Sequence, residues 1–173
     1  MFAVKVPKLI IHEKRLIDCS AQIADFYENC ETGLKDKLGC LLFQFPPSFK
    51  YSIETLELVI KNLKSGFKNV VEFRHISWFR QEVYDALKTN NIILCSISHP
   101  TLPDYIIKTT TVGYICFHGN PKMFYSMYSE AYLLELHNKL SDNKKFKEVY
   151  VFFNNTASTA GIINAQAFKT LGE

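Results

Sequence analysis

Long apolar runs are missing from this 173-residue chain. None reaches the roughly 18 residues that a membrane-crossing helix needs. The start, MFAVKVPKLIIHEKRL, has no basic segment leading into an apolar stretch and a small-residue cleavage site. A cytoplasmic protein with no membrane partner is the expectation. Paired cysteines are missing as well: Cys19, Cys30, Cys40, Cys95 and Cys116 are odd in number and form no C-x-x-C. That excludes a disulfide framework or zinc knuckle and predicts reduced, buried packing residues. A concentrated basic stripe is also absent. Net charge is +3, and KSGFK and DNKKFK are short clusters that suit solvated helix ends or loops rather than a duplex-binding face. No G-x-G-x-x-G or G-x-x-x-x-G-K-[ST] follows a strand, which argues against a nucleotide-binding open sheet. Neither a G-x-S-x-G elbow nor a Ser-His-Asp set supports a hydrolase nucleophile. No linker, repeat of composition or low-complexity segment divides the chain, so a single domain over residues 1–173 is expected.

What is present is a rhythm. Short apolar runs with strand character stand at FAVKV (2–6), CLLFQF (40–45), NVVEFR (69–74), IILCSI (92–97), YICFH (114–118) and VYVFFN (149–154). Between them lie segments with helical spacing. Ile23, Phe26 and Tyr27 mark one helix; Ile53, Leu56, Val59, Ile60 and Leu63 mark another, with Ser52 as its cap. Val83 with Leu87, the stripe Tyr128, Tyr132, Leu136 and Leu140, and the set Ile163, Ala167 and Leu171 mark three more. The connection between 92–97 and 114–118 is short and holds little helix. Alternating buried strands and amphipathic helices predict an α/β fold with a parallel sheet covered by helices, either an open sheet or a barrel.

Side-chain parity then locates a polar face. Residues two apart on a strand share a face, so Phe43 and Phe45 oppose Gln44, while Val71 and Phe73 oppose Glu72 and Arg74. Likewise Ile115 and Phe117 oppose Cys116 and His118, Val151 and Phe153 oppose Asn154, and Phe2, Val4 and Val6 oppose Lys5. Helices cover the apolar faces. Lys5, Gln44, Glu72, Arg74, His118 and Asn154 therefore gather toward the carboxyl ends of the strands, where ligands bind in barrels and open sheets alike. The guanidinium of Arg74 suits a carboxylate or phosphate. His118 suits a donor or acid–base group, and Glu72 its partner or a base. A structural ion pair between Glu72 and Arg74 is the plainer alternative.

Other candidates follow strand ends. His75, Ser77 and Trp78 come directly after NVVEFR, where Trp78 would act as a stacking lid or, more plainly, as a core ring. His12 and His99 lie at or near strand ends, His12 in position to cap a turn. Pro46 and Pro47 set a rigid exit after Gln44. A divalent metal would need three convergent ligands; of the set Glu72, His75 and His118, the first two have opposite strand parity, so no metal centre or other cofactor is expected.

The blocks FAVKVPKLIIHEKRL, LGCLLFQFPPSF, VVEFRHISWF, ICFHG, VYVFFNNT and NAQAF resemble, in order, successive segments of the YecE-like family, domain of unknown function 72. EFRHISW and FFNNT are the most specific of them, and FFNNT adds Asn155 to the ligand-binding candidates. The resemblance implies a TIM-type (β/α) barrel of parallel strands with outer helices. Members of the family open with two further βα units, one with a Gly-rich strand and one with an acidic strand, and no block here corresponds to them. Six of eight strands would leave the barrel incomplete, with open edges available for self-association. The leading functional expectation is binding of an anionic, phosphate-bearing ligand at the strand ends by Lys5 and Arg74, with Glu72 and His118 for proton transfer. The rivals are a non-catalytic nucleic-acid binder using Trp78 and an inactive fragment whose polar interior is structural.

Overall fold

The computed structural model describes residues 1–141 and 146–172. The DNKK part of the second basic cluster, 142–145, lies outside the described residues. The chain divides into two compact units, Met1–Leu94 and Cys95–Glu173, with no composition shift to mark the boundary.

In the first unit, β1 (Phe2–Lys5), β2 (Leu38–Gln44), β3 (Lys68–Glu72) and β4 (Ile93–Leu94) form a parallel sheet in sequence order. The register pairs Lys5 with Leu42 and Gln44 with Glu72. Helices α1 (Ser20–Leu34), α2 (Ile53–Asn62) and α3 (Gln81–Thr89) make the crossovers. α1 buries Ile23 and Tyr27, and the Tyr27 ring meets Phe43 of β2. α2 starts on the expected cap: the Ser52 hydroxyl accepts from Thr55 N while Thr55 Oγ1 accepts from Ser52 N, a reciprocal pair of the sort that stabilises a helix start by about 1 kcal/mol. Val59 is buried, but Ile53, expected on the same face, is exposed because it sits at the first turn, beyond the edge of the packed stripe. Val83 and Leu87 fill the core face of α3 as expected.

In the second unit, β5 (Ser96–Ser98), β6 (Val112–Phe117) and β7 (Glu148–Phe153) form a second parallel sheet. The run IILCSI, expected as one strand, is thus two short strands in two sheets, interrupted at Cys95. Helices α4 (Glu130–Ser141) and α5 (Ala160–Thr170) complete the unit. Its core joins Ile115 and Phe117 of β6 to Tyr128, Leu133 and Leu136, with Val151 and Phe153 of β7 packed against it, as parity predicts. α5 departs from expectation at Ile163 alone: that residue is exposed, while Ala167 and Leu171 pack against the core as expected and Ala160, Gly161 and Asn164 are buried beside them. No helix joins β5 to β6.

Neither sheet closes on itself among the described residues. All five cysteines are buried and none is in a disulfide among the described residues, as their spacing predicts. Among the described residues no helix is long and apolar enough to cross a membrane.

Candidate functional site

The polar face expected of the first sheet forms a connected relay. Lys5, Gln44 and Glu72 end β1, β2 and β3, with Gln44 level with Glu72 and Lys5 level with Leu42, and Arg74 follows two residues after Glu72 on the same side. Lys5 Nζ donates to Gln44 Oε1 at 2.6 Å, Gln44 Nε2 donates to Glu72 Oε1 at 2.8 Å, and Arg74 Nε donates to the same oxygen at 2.9 Å. A second Arg74 nitrogen stands 2.8 Å from that oxygen. The charges at either end dictate the amide's orientation: its oxygen must face the ammonium and its nitrogen the carboxylate. Glu72 is fully buried, the Arg74 side chain is 17% exposed, and Lys5 is open to solvent. Within this relay two cations accompany one carboxylate at the carboxyl ends of the strands.

A group that ranked low by sequence belongs to the same neighbourhood. After β1 the chain makes a π-helical turn, Leu9–Glu13, a rare conformation that recurs at functional sites. It sets Ile10 and Ile11 into the core and leaves His12 half-buried at its end. Burial lowers the His12 pKa below its ordinary 6.5, and the positive fields of Lys5, Lys8 and Arg74 lower it further. His12 therefore senses the same positive field that an incoming anion would meet. It does not cap the turn; the cap position is Lys8. Just beyond, Arg15, Leu16 and Asp18 all adopt positive φ, a costly conformation for residues with side chains.

Of the two readings of Trp78, lid or core ring, the structure has the plainer one, the core ring. It is 1% exposed, its ring lies parallel to Phe73 at 3.8 Å and near-parallel to Phe49 at 5.5 Å, and its Nε1 donates to Phe49 O at 2.7 Å. Stacked on these rings and buried, it is a core ring and offers no platform for a base. His75 supports the same turn: its Nδ1 accepts from Ser77 N at 3.1 Å. The Ser77 hydroxyl in turn accepts from Tyr51 N.

In the second unit His118 is fully buried directly after β6, with the His99 ring 6.2 Å away edge-on. Asn154 is exposed at the end of β7. Asn155 is buried and already engaged: its Nδ2 donates to Ser126 O and to Asn164 Oδ1, each at 3.0 Å. Asn164 then brackets Tyr128, accepting from its N–H and donating to its carbonyl. This pair ties the loop before α4 to α5. Sequence reading missed a third cluster, Ser98, Asp104, Tyr128 and Tyr132, because it joins a strand, a loop and a helix through hydroxyls that no spacing rule connects.

The family model described as "Protein of unknown function DUF72" matches residues 1–173. A DUF72 family protein from Thermotoga maritima MSB8 superposes with a TM-score of 0.88 at 31% identity, over 99% of this chain and 74% of that one. Two crystal structures of a DUF72 family protein from Enterococcus faecalis V583 give TM-scores of 0.83 and 0.82 at 21% and 23% identity, covering 98% and 99% of this chain and 73% and 78% of theirs. At that identity they speak to the fold alone. No curated protein matches this chain.

Proposed function

The chain belongs to the DUF72 family, and on that premise we propose that its first compact unit binds an anionic, phosphate-bearing small molecule, with Lys5 and Arg74 as the charged grips. One observation carries the reading: the Lys5–Gln44–Glu72–Arg74 relay sets two cations, one of them open to solvent, at the carboxyl ends of parallel strands. In this reading Glu72 is a positioning residue. Its Oε1 accepts from Gln44 and Arg74, which fixes the guanidinium for a charge-assisted bond to an anion. His12, beside the same cations, is the acid–base group of this unit in that reading. The TIM-type (β/α) barrel is carried into the proposal on the strength of the all-parallel βα succession.

Calorimetric titration with inorganic phosphate and ribose 5-phosphate, in wild type and in Lys5→Ala and Arg74→Ala, tests it. The expected result is phosphate binding weakened about tenfold or more by each substitution, about 1.4 kcal/mol or more, and weakened by added salt. Equal Kd values in wild type and Arg74→Ala contradict the proposal. A single-stranded oligonucleotide that outcompetes both phosphates, with a steep salt dependence, points to nucleic acid instead.

A further inference from the structure

The second unit holds a cavity that the anion site does not use. A crossover between parallel strands is usually a helix lying on the sheet. The β5–β6 connection, residues 99–111, contains none, and a cavity of about 380 Å³ opens on the helix-facing side of the sheet beside α4. That volume falls in the range of small-molecule sites, roughly 300–1,000 Å³. Its floor is apolar, made by Ile97 of β5, Ile115 and Phe117 of β6 and Leu136 of α4. Its wall carries Asp104 and the Tyr132 ring.

The polar groups converge on Asp104. Gly119 N donates to the Tyr128 hydroxyl at 2.9 Å, Tyr128 donates to Ser98 Oγ at 3.0 Å, and Ser98 donates to Asp104 Oδ2 at 3.1 Å. Tyr132 donates to Asp104 Oδ1 at 3.3 Å. Gly119 stands at the head of this relay with φ +89°, and a Cβ there would lie 2.8 Å from the Lys122 carbonyl, so only glycine presents its N–H this way. Every hydrogen bond in the chain points toward the carboxylate. The Tyr132 hydroxyl, half-buried and beside that charge, is pushed up to about 12. Among the described residues the partners of the Asp104 oxygens are hydroxyls. The nearby charges are occupied elsewhere: Glu135 pairs with Lys139 at 2.6 Å, and Lys108 Nζ lies over the Phe146 ring at 5.7 Å.

We infer that this cavity is a binding site for a small organic cation, an ammonium group carried on an apolar body, with Asp104 as its counter-ion, the Tyr132 ring beside the charge and Ile97, Ile115, Phe117 and Leu136 against the body. An ammonium supplies the charge-assisted partner that hydroxyls cannot, and an aromatic wall favours it further. A neutral ligand leaves the carboxylate without an ion partner, and an anion is repelled by it.

The test uses three probes of one shape: phenethylammonium, 2-phenylethanol and phenylacetate, titrated into the whole chain and followed by amide NMR shifts and thermal melts. Phenethylammonium is expected to shift the amides of Ser98, Asp104 and Tyr132 and to bind at least about tenfold tighter than phenylacetate. Asp104→Asn is expected to weaken the ammonium about tenfold while leaving the alcohol unchanged. Lys108→Ala, at an exposed rim position over the Phe146 ring, is expected to tighten it severalfold by removing a like charge. Phenylacetate binding tighter than the ammonium, shifts confined to other amides, or ammonium affinity unchanged in both variants overturns the inference. Should Asp104→Asn fail to fold, the order of the three probes in wild type and the Lys108→Ala shift decide alone.

Discussion

The guanidinium of Arg74 closes on a single oxygen of Glu72, through Nε at 2.9 Å and a terminal nitrogen at 2.8 Å. The two residues are two apart at the end of β3, so strand parity puts them on one side and makes this grip local. Gln44 reaches the same oxygen from β2, and Lys5 reaches Gln44 from β1. Three neighbouring strands thus fix one cation at the margin of solvent and leave another exposed.

Arg74→Met removes the charge that balances a fully buried carboxylate. The expected loss is about 3 kcal/mol of unfolding free energy, the scale for breaking a buried pair by deleting one partner. Replacing both residues, Glu72→Gln with Arg74→Met, is expected to recover most of it. Denaturant melts of the single and double variants measure both values, and a double variant no more stable than the single one removes the ion pair from the account.

The lone tryptophan reports on the packing of the first unit. Trp78 is expected to emit at short wavelength, to resist acrylamide quenching in the folded chain, and to be unaffected by single-stranded oligonucleotides, since Phe73 and Phe49 cover its ring faces. Trp78→Ala is expected to cost about 3–5 kcal/mol. A red-shifted, readily quenched emission contradicts the assignment of Trp78 to the core.

Asn155→Ala cuts the ties to Ser126 and Asn164 and is expected to destabilise by about 1–3 kcal/mol, while phosphate affinity stays at the wild-type value. A fall in phosphate affinity with unchanged stability would return Asn155 to the ligand-binding set.

Below neutrality His12 works against the fold. Its folded pKa is depressed below 6.5 by burial and by Lys5, Lys8 and Arg74, with Glu13 opposing. The unfolded chain therefore binds the proton more readily, so the contribution is intact above 6.5 and is lost as pH falls through the folded value. His12→Gln is expected to flatten the acid side of the stability profile between those limits. A profile of unchanged slope contradicts the assignment.

Much of this was legible in the sequence, for reasons that particular residues show. Parity alone put Gln44, Glu72 and Arg74 on one face and Phe43, Val71 and Phe73 on the other, because strand alternation is a local rule. Ser52 announced the start of α2 for the same reason. The break at Cys95 was not legible: Ile93–Leu94 and Ser96–Ser98 read as one apolar run, and their assignment to different sheets is set by the partners, β3 and β6. In α5 the spacing gave Ala167 and Leu171 correctly, while the buried Asn164, bonded to the Tyr128 backbone, carried no apolar signal to read. Asp104 emerged only in three dimensions, through hydroxyls from a strand and a helix, and His12, legible in sequence only as a residue near a strand end, gained its place through the field of Lys5, Lys8 and Arg74.

The pKa of His12, followed by NMR with and without inorganic phosphate, tests the anion site most directly, since it reports charge arriving beside Lys5 and Arg74. The account predicts a value below 6.5 in the empty protein and a rise on saturation with phosphate, because a bound anion cancels the positive field that holds it down. A His12 pKa that stays unchanged at saturating phosphate would contradict it.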